Sequence, residues 1–272
     1  MVASHRKESF VLCKKVISLF FLFVILFASF GQAYGSSTFM ISMNNNRTLN
    51  INILDFEEGI RVLVEKDDSR YYYSLMDSDE VLPLQLGKGK YSVKILEKIS
   101  GSRYRVLAKE VFNLNKFDEE EAFLVSAQPV VWEEDGQVVK LAKDLTKDSA
   151  NDKDKVKAIY NYIVKNIKYD YNKIKCLDNN YVPDNIDTLK TLSGICYDYS
   201  SLFAAMLRSL DIPTKLIKGY NEEIVSYHAW NEVLIDDDWV IIDTTYDAAY
   251  YQVNRDISMI KSSNEYNKIR EY

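Results

Sequence analysis

The hydrophobic period of the chain changes near Trp132, and that change does more than any other feature to limit the fold. Before it, apolar residues alternate in short runs: TLNINIL (48–54), GIRVLVEK (59–66), RYYYSL (70–75), KYSVKILEK (90–98) and RYRVLAKEVFNL (103–114). Each run is rich in Val, Ile, Tyr or Phe, and the breaks DDS, MDSDE, LGKGK and SGS supply turn residues. Strands spaced in this way predict a small antiparallel sandwich or sheet over about 36–132, with Tyr72, Leu82, Leu84, Tyr91, Val93 and Ile95 facing inward. That segment holds no His and no Cys. It supplies no nucleophile and base, so binding, spacing or docking is its expected role.

After Trp132 the period lengthens. Segments 137–147 and 152–168 read as helices; in the second, Val156, Ile159, Tyr160, Ile163, Val164 and Ile167 share one face, with Ser149, Asn151 or Asp152 as N-cap. Residues 169–186 read as a polar loop. A short helix over 187–193 is expected to stop at Gly194, and a longer one over 196–210 carries the stripe Leu202, Phe203, Met206, Leu207 and Leu210. Strands follow at 214–220, 228–235 and 239–243, the last two joined by a hairpin at Asp236-Asp237-Asp238. Helices followed by a strand meander make the chain α+β, with residues 133–272 as a second domain.

Residues 1–33 set the compartment. Arg6, Lys7, Lys14 and Lys15 precede an uninterrupted apolar run, 16–30, and then Gly31-Gln32-Ala33, the order of a secretory signal. The run is shorter than the ~20 residues a bilayer span needs, so cleavage after Ala33 or Gly35 is expected, with an uncleaved tether as the alternative. The protein is then secreted or held at the cell surface. Without residues 1–33 the chain keeps 30 basic and 39 acidic residues, which argues against nucleic acid as a partner and leaves a membrane role only to the N-terminal segment. It also keeps one histidine, His228, and two cysteines, Cys176 and Cys196. A Cys/His zinc site lacks ligands, the carboxylates form no recognisable calcium loop, and no metal or cofactor is expected.

Three stretches carry chemistry: 194–200 (GICYDYS), 227–233 (YHAWNEV) and 239–245 (WVIIDTT). Cys196 follows a glycine and opens an amphipathic helix, where unpaired N–H groups and the macrodipole favour a thiolate. His228 is the one imidazole able to pair with it and later protonate a leaving group. Asp243 lies one hairpin away, on the neighbouring strand, and is the candidate to orient that imidazole. A hairpin centred on Asp237 sets His228 opposite position 246, so a shifted turn or a bulge is needed to level it with Asp243. Tyr169, Tyr171 and Asn172 are candidates for the second oxyanion donor beside the Cys196 N–H, with Tyr197 and Trp230 as further oxyanion or cleft candidates. Trp230 and Trp239 read as core or cleft-wall aromatics. Arg208 is expected to pair with a carboxylate on the helix surface, and Asp198 to aid the helix N-terminus.

These motifs, GICYDYSSLFAAMLRSLDIP (194–213), KGY (218–220), HAWNEV (228–233) and WVIIDTT (239–245), resemble those of the transglutaminase-like, papain-related superfamily, over about 150–247. The resemblance implies a core of helices packed on an antiparallel sheet, with Cys196 as nucleophile, His228 as base and acid, and Asp243 as its orienting residue. It implies a cysteine-dependent acyltransferase or protease that attacks a peptide or glutamine carbonyl through a thioester, its partner being a protein or cell-wall peptide. The N-terminal sheet, with PLQLGKGKY (83–91), is similar to the accessory region of secreted clostridial members. Asp211 departs from the family, which usually has Gly before Ile-Pro; that bears on the helix end and hardly on catalysis. Two other readings stand: a non-catalytic surface or wall-binding module on the same scaffold, and a Cys176–Cys196 disulfide that keeps the enzyme latent until reduced.

Overall fold

Alternating side chains build the first part of the chain into two antiparallel sheets. A computed structural model describes residues 39–178 and 180–272; the expected signal or tether lies outside the described residues. The strands are β1 (Phe39–Asn44), β2 (Thr48–Ile53), β3 (Ile60–Lys66), β4 (Ser69–Ser74), β5 (Asp79–Pro83), β6 (Gly89–Ser100) and β7 (Arg103–Leu114). One sheet has the order β1-β2-β5 and the other β4-β3-β6-β7. Leu82, Leu84, Tyr91, Val93 and Ile95 are buried as the alternation predicts, but Tyr72 is 51% exposed while Tyr71 and Tyr73 are buried. Three consecutive tyrosines have no alternation from which the inward face can be read. β1 and β5 were not expected.

The second part runs α1 (Glu119–Ala122), α2 (Gln137–Thr146), α3 (Asp152–Asn166), β8 (Lys168–Tyr169), α4 (Asn185–Thr191), β9 (Ser193–Gly194) and α5 (Cys196–Arg208). It continues through β10 (Thr214–Asn221), β11 (Ile224–Ile235), β12 (Asp238–Ile242), α6 (Thr244–Gln252), β13 (Ile260–Lys261) and β14 (Tyr266–Glu271). The five-stranded sheet β13-β12-β11-β10-β14 is antiparallel throughout. The α+β class holds, and the helices and antiparallel sheet fit a papain-like core. Among the described residues, no helix is long and apolar enough to cross a membrane.

The helix at the centre is α5. Every residue from Asp198 to Arg208 is buried, and Leu202, Phe203, Met206 and Leu207 are fully so. Each such apolar side chain contributes about 1.5–3 kcal/mol relative to exposure, which fixes α5 against α3, α6 and the strands β10 and β11. The core continues without a break from Val62, Tyr91 and Ile95 to Val156, Ile159 and Leu202.

Several local expectations change. Asn151 caps α3 by accepting from Asp154 N at 2.9 Å. α4 starts earlier than expected, with Asp184 as its cap, and ends at Leu192 in the left-handed region (φ 49°); Gly194 is not the stop. Gly194 serves a close approach instead, since a Cβ there would lie 2.6 Å from Asp198 Cβ. Asp211 itself takes positive φ (61°), the conformation a glycine would adopt most easily. Arg208 is 2% exposed and pairs with no surface carboxylate. Its guanidinium donates to the carbonyls of Thr214 (2.7 Å), Val125 (3.1 Å) and Tyr272 (2.7 Å), and burial pushes it down to about 9. α6 and β14 carry no signal strong enough to have been anticipated.

Candidate active site

The start of α5 is built to hold a polar first turn under cover. Ile195 is the N-cap and has no capping side chain, but its N–H donates to Asp198 Oδ2 at 2.8 Å, so the third helical residue supplies the reach-back half of a capping box. Asp198 is fully buried, also takes Lys173 at 3.0 Å, and accepts from the Tyr181 hydroxyl. Its helix-supporting role thus comes with three partners. Cys196 opens the helix on this platform, half-buried, at a position whose N–H has no intrahelical acceptor. The parallel pair β8 and β9 brings Tyr169 alongside Gly194, with Asp170 N donating to Gly194 O at 2.9 Å.

His228 lies on β11 opposite Gly219 of β10. Gly219 is required by packing, because a Cβ would stand 2.1 Å from Asn267 O and 2.8 Å from the Trp230 ring. The imidazole is 5% exposed, and its Nε2 meets Asp243 Oδ2 at 2.7 Å. Cys196 and His228 line the same cleft, and the charge of Cys196 acts on the ring. Burial disfavours the charged ring, yet the Asp243 carboxylate and the adjacent Cys196 outweigh it and hold His228 up at about 10.

Asp243 reaches His228 by a route the strand pattern did not foresee. Register runs Asn231 to Ile242 and Val233 to Val240, one position off the expected hairpin, and neither a bulge nor a continued β12 levels the two residues. β12 ends at Ile242, and Asp243 becomes the N-cap of α6, its Oδ1 accepting from Tyr246 N at 3.0 Å. The turn into the helix swings the carboxylate toward His228. Tyr266 of β14 donates its hydroxyl to Asp243 Oδ2 at 3.1 Å, so three donors orient one acid. Sequence reasoning missed Tyr266, whose strand has only a weak alternating pattern.

Behind Asp243, Asp247 is fully buried between the Tyr160 hydroxyl (2.8 Å) and Lys261 Nζ (2.5 Å). Burial raises its carboxyl to about 6 despite that lysine.

Cys196 and His228 open onto a cleft of about 430 Å³ walled by Tyr169, Tyr171, Tyr199, Tyr227, Tyr246 and Tyr250. Burial first, and then the nearby Cys196, push the Tyr169 hydroxyl up to about 12. Tyr171 stacks obliquely on Tyr169 with centroids 4.9 Å apart, whereas the N–H of Asn172 is already taken by Asp170 Oδ1 at 2.9 Å. Tyr197 and Trp230 do not line this cleft. Trp230 lies beneath it in near-parallel stacking with His228 (6.3 Å) and against Tyr266 (5.0 Å), while Trp239 packs on Phe123. Cys176 is exposed, and among the described residues it and Cys196 are unpaired with one another.

Comparison with known proteins points the same way as the geometry. Residues 139–244 match the model of the transglutaminase-like superfamily. The chain is 38% identical over 106 residues to the UPF0252 protein MJ1282 of Methanocaldococcus jannaschii, covering 34% of this chain and 30% of that protein. It is 28% identical over 116 residues to the kyphoscoliosis peptidase of Mus musculus, covering 39% of this chain and 17% of the peptidase. The match thus spans less than a third of either relative. Among solved structures, the periplasmic domain of TgpA from Pseudomonas aeruginosa aligns over 73% of this chain and 91% of its own, at 16% identity and a TM-score of 0.39.

Proposed function

We propose that the protein is an exported cysteine-dependent acyl-transfer enzyme that attacks a peptide or glutamine carboxamide carbonyl through Cys196. The observation that carries this is the imidazole of His228, held on Asp243 Oδ2 at 2.7 Å at the wall of the cleft that Cys196 also lines; Asp243 and Cys196 together hold the ring up at about 10. A ring that keeps its proton at neutral pH is a cation beside the sulfur, and such a cation favours the thiolate. The thiolate adds to the carbonyl carbon. The Cys196 N–H at the start of α5 stabilises the oxyanion, with the Tyr169 hydroxyl as the second donor. Collapse breaks the C–N bond, and His228 gives its proton to the departing amine or ammonia. The resulting thioester is then cleaved by water or a primary amine, which passes one proton to the now neutral imidazole; the product leaves as an acid or an amide, and the thiolate–imidazolium pair is regenerated.

Water as acceptor makes the enzyme a protease or deamidase, and the peptidase name of the mouse relative favours it; a lysine amine makes it a cross-linker. Export is supported by the basic, apolar, small order of residues 1–33. The test is the pH dependence of iodoacetamide alkylation at Cys196, by peptide mass, in wild type and His228→Ala. Reaction well below pH 7 in wild type, lost to an ordinary thiol profile near pH 8.5 in the variant, is the expected result. Identical profiles overturn the reading. Ammonia release from glutamine peptides, with and without added amine, then separates hydrolysis from cross-linking.

A further inference from the structure

Strand register sets two cations beside the candidate nucleophile. Lys218 precedes Gly219, the residue opposite His228, and its own partner across β10 and β14 is Arg270. Like charges directly opposite on antiparallel strands repel. Lys268, two residues before Arg270, relieves its charge on Glu232 (3.0 Å) and Glu271 (3.1 Å). Among the described residues neither Lys218 nor Arg270 has a carboxylate within 4 Å.

They lie among aromatic rings instead. Lys218 Nζ is 3.2 Å from the centroid of Tyr197, the residue after Cys196, and 5.4 Å from that of Tyr272; the Arg270 guanidinium is 4.9 Å from that of Tyr71 and donates to Arg70 O at 2.6 Å. Burial pushes the Lys218 ammonium down to about 7; the charge of Cys196 opposes that shift and Arg270 adds to it. Lys218 and Arg270 thus face each other without a carboxylate partner among the described residues, Lys218 next to the residue opposite His228 and over the ring that follows Cys196.

We propose that Lys218 and Arg270 form an anion subsite beside Cys196 that takes a carboxylate of the peptide substrate, close to the carbonyl under attack. The proposal rests on Cys196 being the nucleophile. A bound carboxylate removes the cross-strand repulsion, and the planar Arg fork together with the Lys point charge suits it. The substrate class is therefore a peptide bearing a carboxylate, from an acidic side chain or a chain end, within side-chain reach of the reacting amide.

Two alkylating reagents of different charge test it. In the full-length protein at pH 6.5 and low salt, the ratio of Cys196 alkylation rates with iodoacetate and iodoacetamide reads local charge, because the thiolate fraction cancels. The ratio is expected to fall about fivefold in Lys218→Met and in Arg270→Gln, to recover in Lys218→Arg, and to lose its dependence on these residues in high salt. Arg270 is partly exposed, so its variant keeps the test decisive if Lys218→Met folds poorly. An unchanged ratio in both variants, with Cys196 still reactive, overturns the subsite and leaves the nucleophile standing. A Cys196 silent to both reagents in the wild type overturns the proposed function, and the subsite falls with it.

Discussion

The sheets before Trp132 and the helix-and-sheet layer after it bury different things. In the first, the buried polar residues are Thr48, Gln85 and Gln128, with no charge among the described residues; in the second, Asp198, Arg208, Lys215, His228, Asp243 and Asp247 are all buried. A charge taken out of water costs several kcal/mol unless partnered, so the second region is stable only because each of these groups has its partners. In the first region the buried amides of Gln85 and Gln128 are met by the Tyr73 hydroxyl and the Ser74 carbonyl, and the rest of its core is apolar. The two parts therefore differ in what they tolerate. One can be repacked without touching chemistry, while the other holds its charges in mutual register.

The strongest way to break that contrast is Asp243→Asn, which keeps the shape but leaves His228 without its anion. The rate of substrate turnover is expected to drop about 10³- to 10⁴-fold, read as kcat/KM on a cleavable peptide. The pH dependence of stability comes next. His228 is raised from 6.5 to about 10 in the folded chain, so its ion pair stabilises fully below pH 6.5, and that contribution is lost as pH rises toward 10. Urea unfolding across pH 6 to 10.5 is expected to show wild type losing several kcal/mol relative to His228→Gln, the gap closing at the alkaline end. Ile95→Ala, in the sheet region, is expected to cost about 2–5 kcal/mol of stability while leaving the alkylation profile of Cys196 unchanged. A shifted profile there would erase the division of labour. Tyr266→Phe removes one of three donors to Asp243 and is expected to have the smallest effect, about 0.5–1.5 kcal/mol, seen as a modest alkaline shift of Cys196 reactivity.

Much of this was legible in the sequence where the period was clean. β6 and the apolar face of α3 follow directly from alternation and from i, i+3, i+4 spacing. Cys196 and His228 could be singled out together because the chain offers so few alternatives, and both line one cleft. What was lost was lost to local chemistry that patterns do not record. Leu192 adopts a left-handed cap at cost, which no propensity anticipates. Asp243 read as the end of the strand 239–243, yet its side chain caps a helix, and the cap is what aims it. Arg208 read as a surface residue because charge usually means exposure; its carbonyl partners come from three separate segments that only the tertiary fold assembles.

The tyrosine that steadies Asp243 comes from β14, whose pairing with β10 also places Tyr272 O on Arg208. During synthesis the chain emerges in order, so Cys196 and His228 are made before Tyr266 exists to complete the arrangement. In a nascent chain Cys196 and His228 are thus present before the third donor to Asp243.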